Sequence, residues 1–163
     1  MRVKDVMVGT PVGCSFQTNL GSAVELLWRQ QCGILPVANQ DNKIFGVVTD
    51  RDLCIALGTR NRLPGEITVG EVTTGRLYCC KPDDDIHTAL ALMGDMKVRR
   101  LPVIDAAGAL QGILSMDDVV VHAEPLALGR SPDLSYEDVV ETFKKIYEPP
   151  LPQLVEKQSA VAA

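Results

Sequence analysis

An internal duplication with an offset of 66 residues constrains this chain more than any other feature. Setting residues 3–57 against 69–123 pairs Val3 with Val69, Val6 with Val72, Gly9 with Gly75, Cys14 with Cys80 and Ala23 with Ala89. In the same gapless register Leu26 meets Leu92, Pro36 meets Pro102, Val37 meets Val103, Gly46 meets Gly112 and Asp52 meets Asp118. Two copies of one supersecondary unit, each too small to bury its own apolar faces, imply half-domains that share their burial. On this reading the 163 residues divide into a first repeat over 1–66, a second over 67–124, and a C-terminal extension over 125–163.

Each repeat reads as β-α-β-β-α, which makes the fold class α/β. In the first copy residues 12–16 predict a short strand, and residues 20–31 predict a helix started by Thr18 or Asn19 and stopped by Gly33. Apolar runs over 34–38 and 43–48 flank the turn-prone Asn39-Gln40-Asp41-Asn42, a hairpin signal, and a second helix follows over about 50–57. The second copy repeats this order, with a helix over about 86–96 and a turn at Asp105-Ala106-Ala107-Gly108. The first helix of each copy is apolar over more than one stripe, including Trp28 in one and Met96 in the other. Such a helix is buried on more than one side, in part against the other repeat and in part against a second chain. Beyond the repeats, Ser135-Tyr136-Glu137-Asp138 opens a C-terminal helix running to about Tyr147. Packing on its own module is the expected role of this helix. Pro149-Pro150-Leu151-Pro152 ends it, and a polar, Ala-rich tail follows from Gln153.

A net charge of −5 excludes a general nucleic-acid or membrane-surface binder, which needs a basic face to neutralise phosphates, but leaves room for a local basic pocket. The start Met1-Arg2-Val3-Lys4-Asp5 lacks a signal-peptide core, and no apolar run is long enough to span a bilayer, so a cytoplasmic protein is expected. Five cysteines fit neither a CxxC pair nor a disulfide framework; Cys14 and Cys80 read as equivalent strand positions.

The chemistry of the chain concentrates at Gly46-Val47-Val48-Thr49-Asp50-Arg51-Asp52 and its repeat Gly112-Ile113-Leu114-Ser115-Met116-Asp117-Asp118, where a buried strand runs into a helix. A hydroxyl three residues before an acid is a capping box, worth about 1 kcal/mol without any ligand. The same junction presents free amides to an anion and a carboxylate to a ribose diol. Spacing alone leaves both readings open.

The combined, repeated pattern, with Val3-Lys4-Asp5-Val6-Met7, Leu35-Pro36-Val37 and Gly46-Val47-Val48-Thr49-x-x-Asp52, resembles a tandem pair of cystathionine-β-synthase (CBS) domains, a Bateman module, over about residues 1–123. The resemblance implies two repeats packed about a pseudo-two-fold axis, with a cleft that holds AMP, ADP, ATP or S-adenosylmethionine as a regulatory ligand and no required cofactor. It implies that Thr49 and Asp52, and again Ser115 and Asp118, contact ribose or phosphate. The residues before the Leu-Pro-Val step, with those prolines, line the pocket: Gly33, Ile34 and Pro36 in one copy, Arg99, Arg100 and Pro102 in the other. Arg99 and Arg100 resemble phosphate-binding positions, because a guanidinium grips phosphate oxygens bidentately. Arg51 is a weaker candidate, its counterpart being Asp117. Two departures, Thr73-Thr74 where the first copy has Met7, and Met116 in place of Asp50, favour one good site and one weak or empty one. The resemblance further implies a homodimer formed through the helices, and a stand-alone regulator of an unknown protein effector. The alternative is a ligand-independent interaction module in which both Thr/Ser-x-x-Asp pairs are helix caps only.

No catalytic set stands out. His87 and His122 have no metal-ligand partner at the right spacing, Cys79 and Cys80 are adjacent, Asp83-Asp84-Asp85 reads as a helix cap, and no Gly-rich phosphate loop is present. The PxxP spacing at 149–152 reads as a helix stop.

Overall fold

The computed structural model describes residues 1–9, 11–41, 43–126 and 132–149; the tail from Gln153, the prolines at 150 and 152 and the linker around Gly129 lie outside them. The elements run β1 (Val8–Gly9), β2 (Cys14–Ser15), α1 (Leu20–Arg29), β3 (Ile34–Ala38), β4 (Ile44–Thr49), α2 (Asp50–Thr59) and α3 (Val69–Val72). They continue with α4 (Ile86–Met96), β5 (Arg100–Ile104), β6 (Leu110–Ser115), α5 (Met116–His122) and α6 (Tyr136–Tyr147). Strands β2-β3-β4 form one sheet and β1-β6-β5 the other. The hairpins β3/β4 and β5/β6 share one register, down to a bulge at Val37/Ala38 and again at Val103/Ile104. Among the described residues no helix is long and apolar enough to cross a membrane.

The strand expected over 12–16 is only two residues long, and Pro36 explains why. Cys14 pairs in parallel with Val37, so the next bond toward the N-terminus would run from the amide of residue 36 to the carbonyl of Val12. Proline has no amide hydrogen to give. The second copy behaves alike: the Cys80 amide donates to the Pro102 carbonyl at 3.1 Å, the Ile104 amide donates to the Cys80 carbonyl at 2.9 Å, and the pairing goes no further back. The two prolines thus release residues 12 and 78 from their sheets.

Helix α1 also ends earlier than expected. Its cap is Gln30, and the chain turns at Gln31 with φ +50° rather than at Gly33. At the equivalent position α4 ends on Lys97 with φ +55°. A left-handed non-glycine residue is uncommon, and here it recurs 66 residues later.

The packing units cut across the sequence repeats. Val3 and Val6 are buried with α4, β5, β6 and α5, while Ile67 and Val69 are buried with α1, β3, β4 and α2. Backbone bonds fix the exchange: the Val3 amide donates to the Asp84 carbonyl at 3.0 Å, and the Leu20 amide to the Ile67 carbonyl at 2.9 Å. Just beyond, β1 lies antiparallel on β6 with Gly9 opposite Gly112, and the Thr73–Gly75 segment crosses β4 at Gly46. Each crossing comes so close that a β-carbon on Gly46 or Gly112 would meet a neighbour within 3 Å.

Helix α6 packs on α4 and α5 and buries Val139, Thr142 and Ile146, with Gly94 of α4 meeting the Lys145 chain at the crossing. The α4 face that bears Gly94 is therefore covered within the chain, while Met96 stays 39 % exposed. The equivalent α1/α2 face stays open, with Trp28 82 % exposed beside Val24 and Cys54.

Candidate ligand clefts between the repeats

Both strand-to-helix junctions form capping boxes. The Asp52 Oδ2 accepts from the Thr49 amide at 2.9 Å and its hydroxyl at 2.7 Å, and the Asp52 amide donates to Thr49 Oγ1 at 3.2 Å. In the second copy the Asp118 Oδ2 accepts from the Ser115 amide at 3.0 Å and its hydroxyl at 2.5 Å. Ser135 and Asp138 make the same box at the start of α6, with bonds of 2.8 and 2.6 Å. The third box lines neither cleft described below, so capping geometry alone identifies no site. In all three boxes the bonds fall on Oδ2, which leaves Oδ1 of Asp52 and Asp118 for a further donor.

What sets the first two junctions apart is where they open. The Thr49 cleft, about 330 Å³, is lined by Ile34, Val47, Thr49, Asp50 and Pro102 together with the cations Arg51, Arg76, Lys97, Arg99 and Arg100. The Ser115 cleft, also about 330 Å³, is lined by Val8, Val12, Gln31, Ile34, Ile113 and Ser115, with Arg100, Asp117 and Asp118. An offset of 66 residues carries one lining onto the other: Thr49 to Ser115, Arg51 to Asp117, Val47 to Ile113, Val12 to Tyr78, Gln31 to Lys97, and Ile34 and Arg100 into each other's places. The two clefts have equal volume and differ in lining.

Ile34 and Arg100 form the wall common to both clefts. They sit on the central wall because β3 and β5 place them directly opposite Thr49 and Ser115. The Arg100 Nη2 lies 3.1 Å from Asp117 Oδ2, while its Nη1 reaches toward Gly33. Arg99 points to the other side, donating to the Tyr147 hydroxyl of α6 at 3.4 Å, and the Lys97 ammonium donates to the Glu148 carbonyl. Arg51 belongs with Arg99 in the Thr49 cleft. Two expected residues fall elsewhere. Pro36 is buried in β3 against Gly13, and its contribution is the release of Val12 described above; Asp52 stands behind Thr49 in the cap rather than on the cleft wall. Met116, in place of Asp50, is buried in the core and withholds a carboxylate from the Ser115 cleft.

Arg76, Tyr78 and Lys97 line the Thr49 cleft without having stood out in the sequence. The signal that finds them is the reciprocal exchange: the segment after each short starting helix lies on the other unit, so 76–78 belong to the Thr49 cleft.

A family model for the CBS domain matches residues 3–59 and 69–124. The CBS domain-containing protein YhcV of Bacillus subtilis is 30% identical over 120 residues, covering 74% of this chain and 84% of that one. The uncharacterised protein MK0525 of Methanopyrus kandleri is 28% identical over 125 residues, 75% of this chain, and this chain spans 59% of its length. A crystal structure of CBSX2 in complex with AMP superposes with a TM-score of 0.63 at 31% identity, covering 74% of this chain and 93% of that one.

Proposed function

Because the chain belongs to the CBS domain family and carries two of its domains, we propose that it is a non-catalytic regulatory module that binds an adenosine-containing ligand between the repeats and signals occupancy to a protein partner. The observation that carries this reading is the pair of 330 Å³ clefts whose linings map onto each other under the sequence repeat, each opening at a Thr- or Ser-capped helix. The AMP complex of CBSX2, at 31% identity, supports an adenine nucleotide as the ligand. Asp118, on its cleft wall, keeps Oδ1 for the ribose hydroxyls; Asp52, from behind, holds the Thr49 hydroxyl that faces the other cleft, and the cations of the Thr49 cleft take the phosphates. A phosphate anchored there needs no metal, since Arg51, Arg76 and Arg99 supply donors and charge together. The open α1/α2 face around Trp28 is the surface for a homodimer or an effector, α6 having closed its counterpart. For occupancy to signal, the ligand must bind two states of the module unequally.

Calorimetric titration with AMP, ADP, ATP and S-adenosylmethionine tests this. At least one should bind, and Asp52→Ala or Asp118→Ala should weaken it by about tenfold or more, as loss of a charged hydrogen bond does. Asp138→Ala removes an equal cap at α6 and should leave affinity unchanged. Absence of binding at millimolar concentration, or equal losses in all three variants, would leave only the helix-cap reading.

A further inference from the structure

The two clefts share one frame and carry opposite charge. Arg51, Arg76, Lys97, Arg99 and Arg100 face the Thr49 cleft against one carboxylate, Asp50. At the five equivalent positions the sequence has Asp117, Thr10, Gln31, Gly33 and Ile34, none of them a cation. Among the described residues lining the Ser115 cleft the sole cation is Arg100, borrowed across the common wall and paired to Asp117 at 3.1 Å, and Asp118 adds a second carboxylate. The left-handed turn at the end of each first helix makes the contrast concrete. It carries an ammonium to one cleft, at Lys97, and a neutral amide to the other, at Gln31.

A phosphate entering the Thr49 cleft meets several unneutralised donors. In the Ser115 cleft it would meet two carboxylates and an arginine already engaged, and to recruit that arginine it would have to strand Asp117. The remaining lining, Val8, Pro11, Val12 and Ile113 with the amides of Gln30 and Gln31, suits an uncharged nucleoside body. Resting on the adenosine-binding reading above, we infer that the clefts take different ligand classes. The Thr49 cleft takes a phosphate-bearing adenine nucleotide, and the Ser115 cleft takes a phosphate-free adenosyl compound, neutral or cationic. The module therefore reads two ligands at once rather than two copies of one.

Titration of the full chain with ADP and with S-adenosylmethionine, a sulfonium, separates the possibilities. The wild-type chain should bind one ADP. S-adenosylmethionine should bind ADP-saturated protein with an affinity within about threefold of its affinity for free protein. Asp117→Arg, at an exposed position, installs the counterpart of Arg51; it should raise ADP stoichiometry from one to two and weaken S-adenosylmethionine by about tenfold. Two ADP molecules bound by the wild type with affinities within about threefold of each other, or mutual displacement of the two ligands, overturns the inference while leaving the adenosine reading intact. An unchanged ADP stoichiometry in Asp117→Arg also overturns it. If neither ligand binds, the adenosine reading itself fails and the inference with it.

Discussion

Replacing Gly112 with alanine tests whether the crossing of β1 over β6 holds the two repeats together. A β-carbon there would lie 2.6 Å from Met7 Sδ, 3.2 Å from Met7 Cγ and 2.8 Å from the Val8 carbonyl oxygen. The sulfur sits on a flexible chain and can move, but the carbonyl belongs to the backbone of β1 and yields only if the strand shifts. Overpacking of this kind costs about 1–3 kcal/mol. If β1 lifts, the bonds of the Val8–Ile113 and Gly9–Gly112 pairs weaken too, at about 1 kcal/mol each. Against this, alanine stiffens the unfolded chain and returns about 0.4–1 kcal/mol. The net expectation is a loss of about 2–3 kcal/mol, or roughly 4–12 °C in Tm for a domain of this size. Gly9→Ala, on the strand directly opposite, meets nothing within 4 Å and serves as the control, neutral or slightly stabilising. Gly46→Ala should fall between them, since its closest contact is the Thr73 methyl at 2.8 Å, with no backbone atom nearer than 3.7 Å. Urea denaturation gives the ranking directly. Because Val8 also lines the Ser115 cleft, Gly112→Ala should weaken S-adenosylmethionine and spare ADP. A Gly112→Ala stability within about 0.5 kcal/mol of Gly9→Ala would refute the claim that this crossing is closely packed.

Further outcomes follow from the buried thiols and from the tie between the Thr49 cleft and α6. Burial pushes the Cys14 thiol up to about 11 and the Cys80 thiol up to about 12 from an ordinary 9.0, so the folded state keeps protons that the unfolded state gives up. Their contribution to stability is complete below about pH 9 and is lost as the pH rises toward 11–12; the Cys14→Ala/Cys80→Ala double variant should flatten that decline, and a thiol reagent at neutral pH should modify exposed Cys54 well before either. Lys97 and Arg99 tie the end of α6 to the rim of the Thr49 cleft, so saturating ADP should draw these donors away and speed amide exchange over residues 144–148; unchanged exchange would show that α6 does not sense the cleft.

Much of the fold was legible because the repeat supplied two readings of every element. The helix expected over 86–96 has that extent, and the hairpins around Asn39 and Asp105 are present, the strand expected over 43–48 running Ile44–Thr49, since apolar period, cap residue and turn residue all agree there. The misplacements have local causes. Gly33 looked like the helix stop because glycine takes positive φ freely, yet the chain turns two residues earlier at Gln31, at the rim of the Ser115 cleft. Residues 12–16 alternate as a strand should, but strand length depends on the partner, and Pro36 denies the amide that would extend it. The Thr-x-x-Asp motif was visible, but its capping role and any ligand role use different oxygens of the same carboxylate, and no sequence spacing separates them.

The cleft charge escaped a position-by-position reading for a topological reason. Arg99 and Arg100 drew notice because they adjoin the Leu-Pro-Val step, whereas Arg76 follows a segment whose importance appears only when the chain crosses to the other unit. Each cleft takes its hydroxyl from one sequence copy and the caps that end the first helices, Lys97 or Gln31, from the other. An offset comparison of the copies therefore finds single substitutions, such as Arg51 against Asp117, but not their sum at one place. Summed by cleft rather than by copy, the differences add up: the Ser115 cleft has no cation at the places equivalent to Arg51, Arg76, Lys97 and Arg99, and keeps only the shared Arg100. None of the five cations lining the Thr49 cleft has a cationic counterpart at the equivalent position of the other copy, and a charge contrast of this kind is what lets two sites of one shape discriminate between ligands.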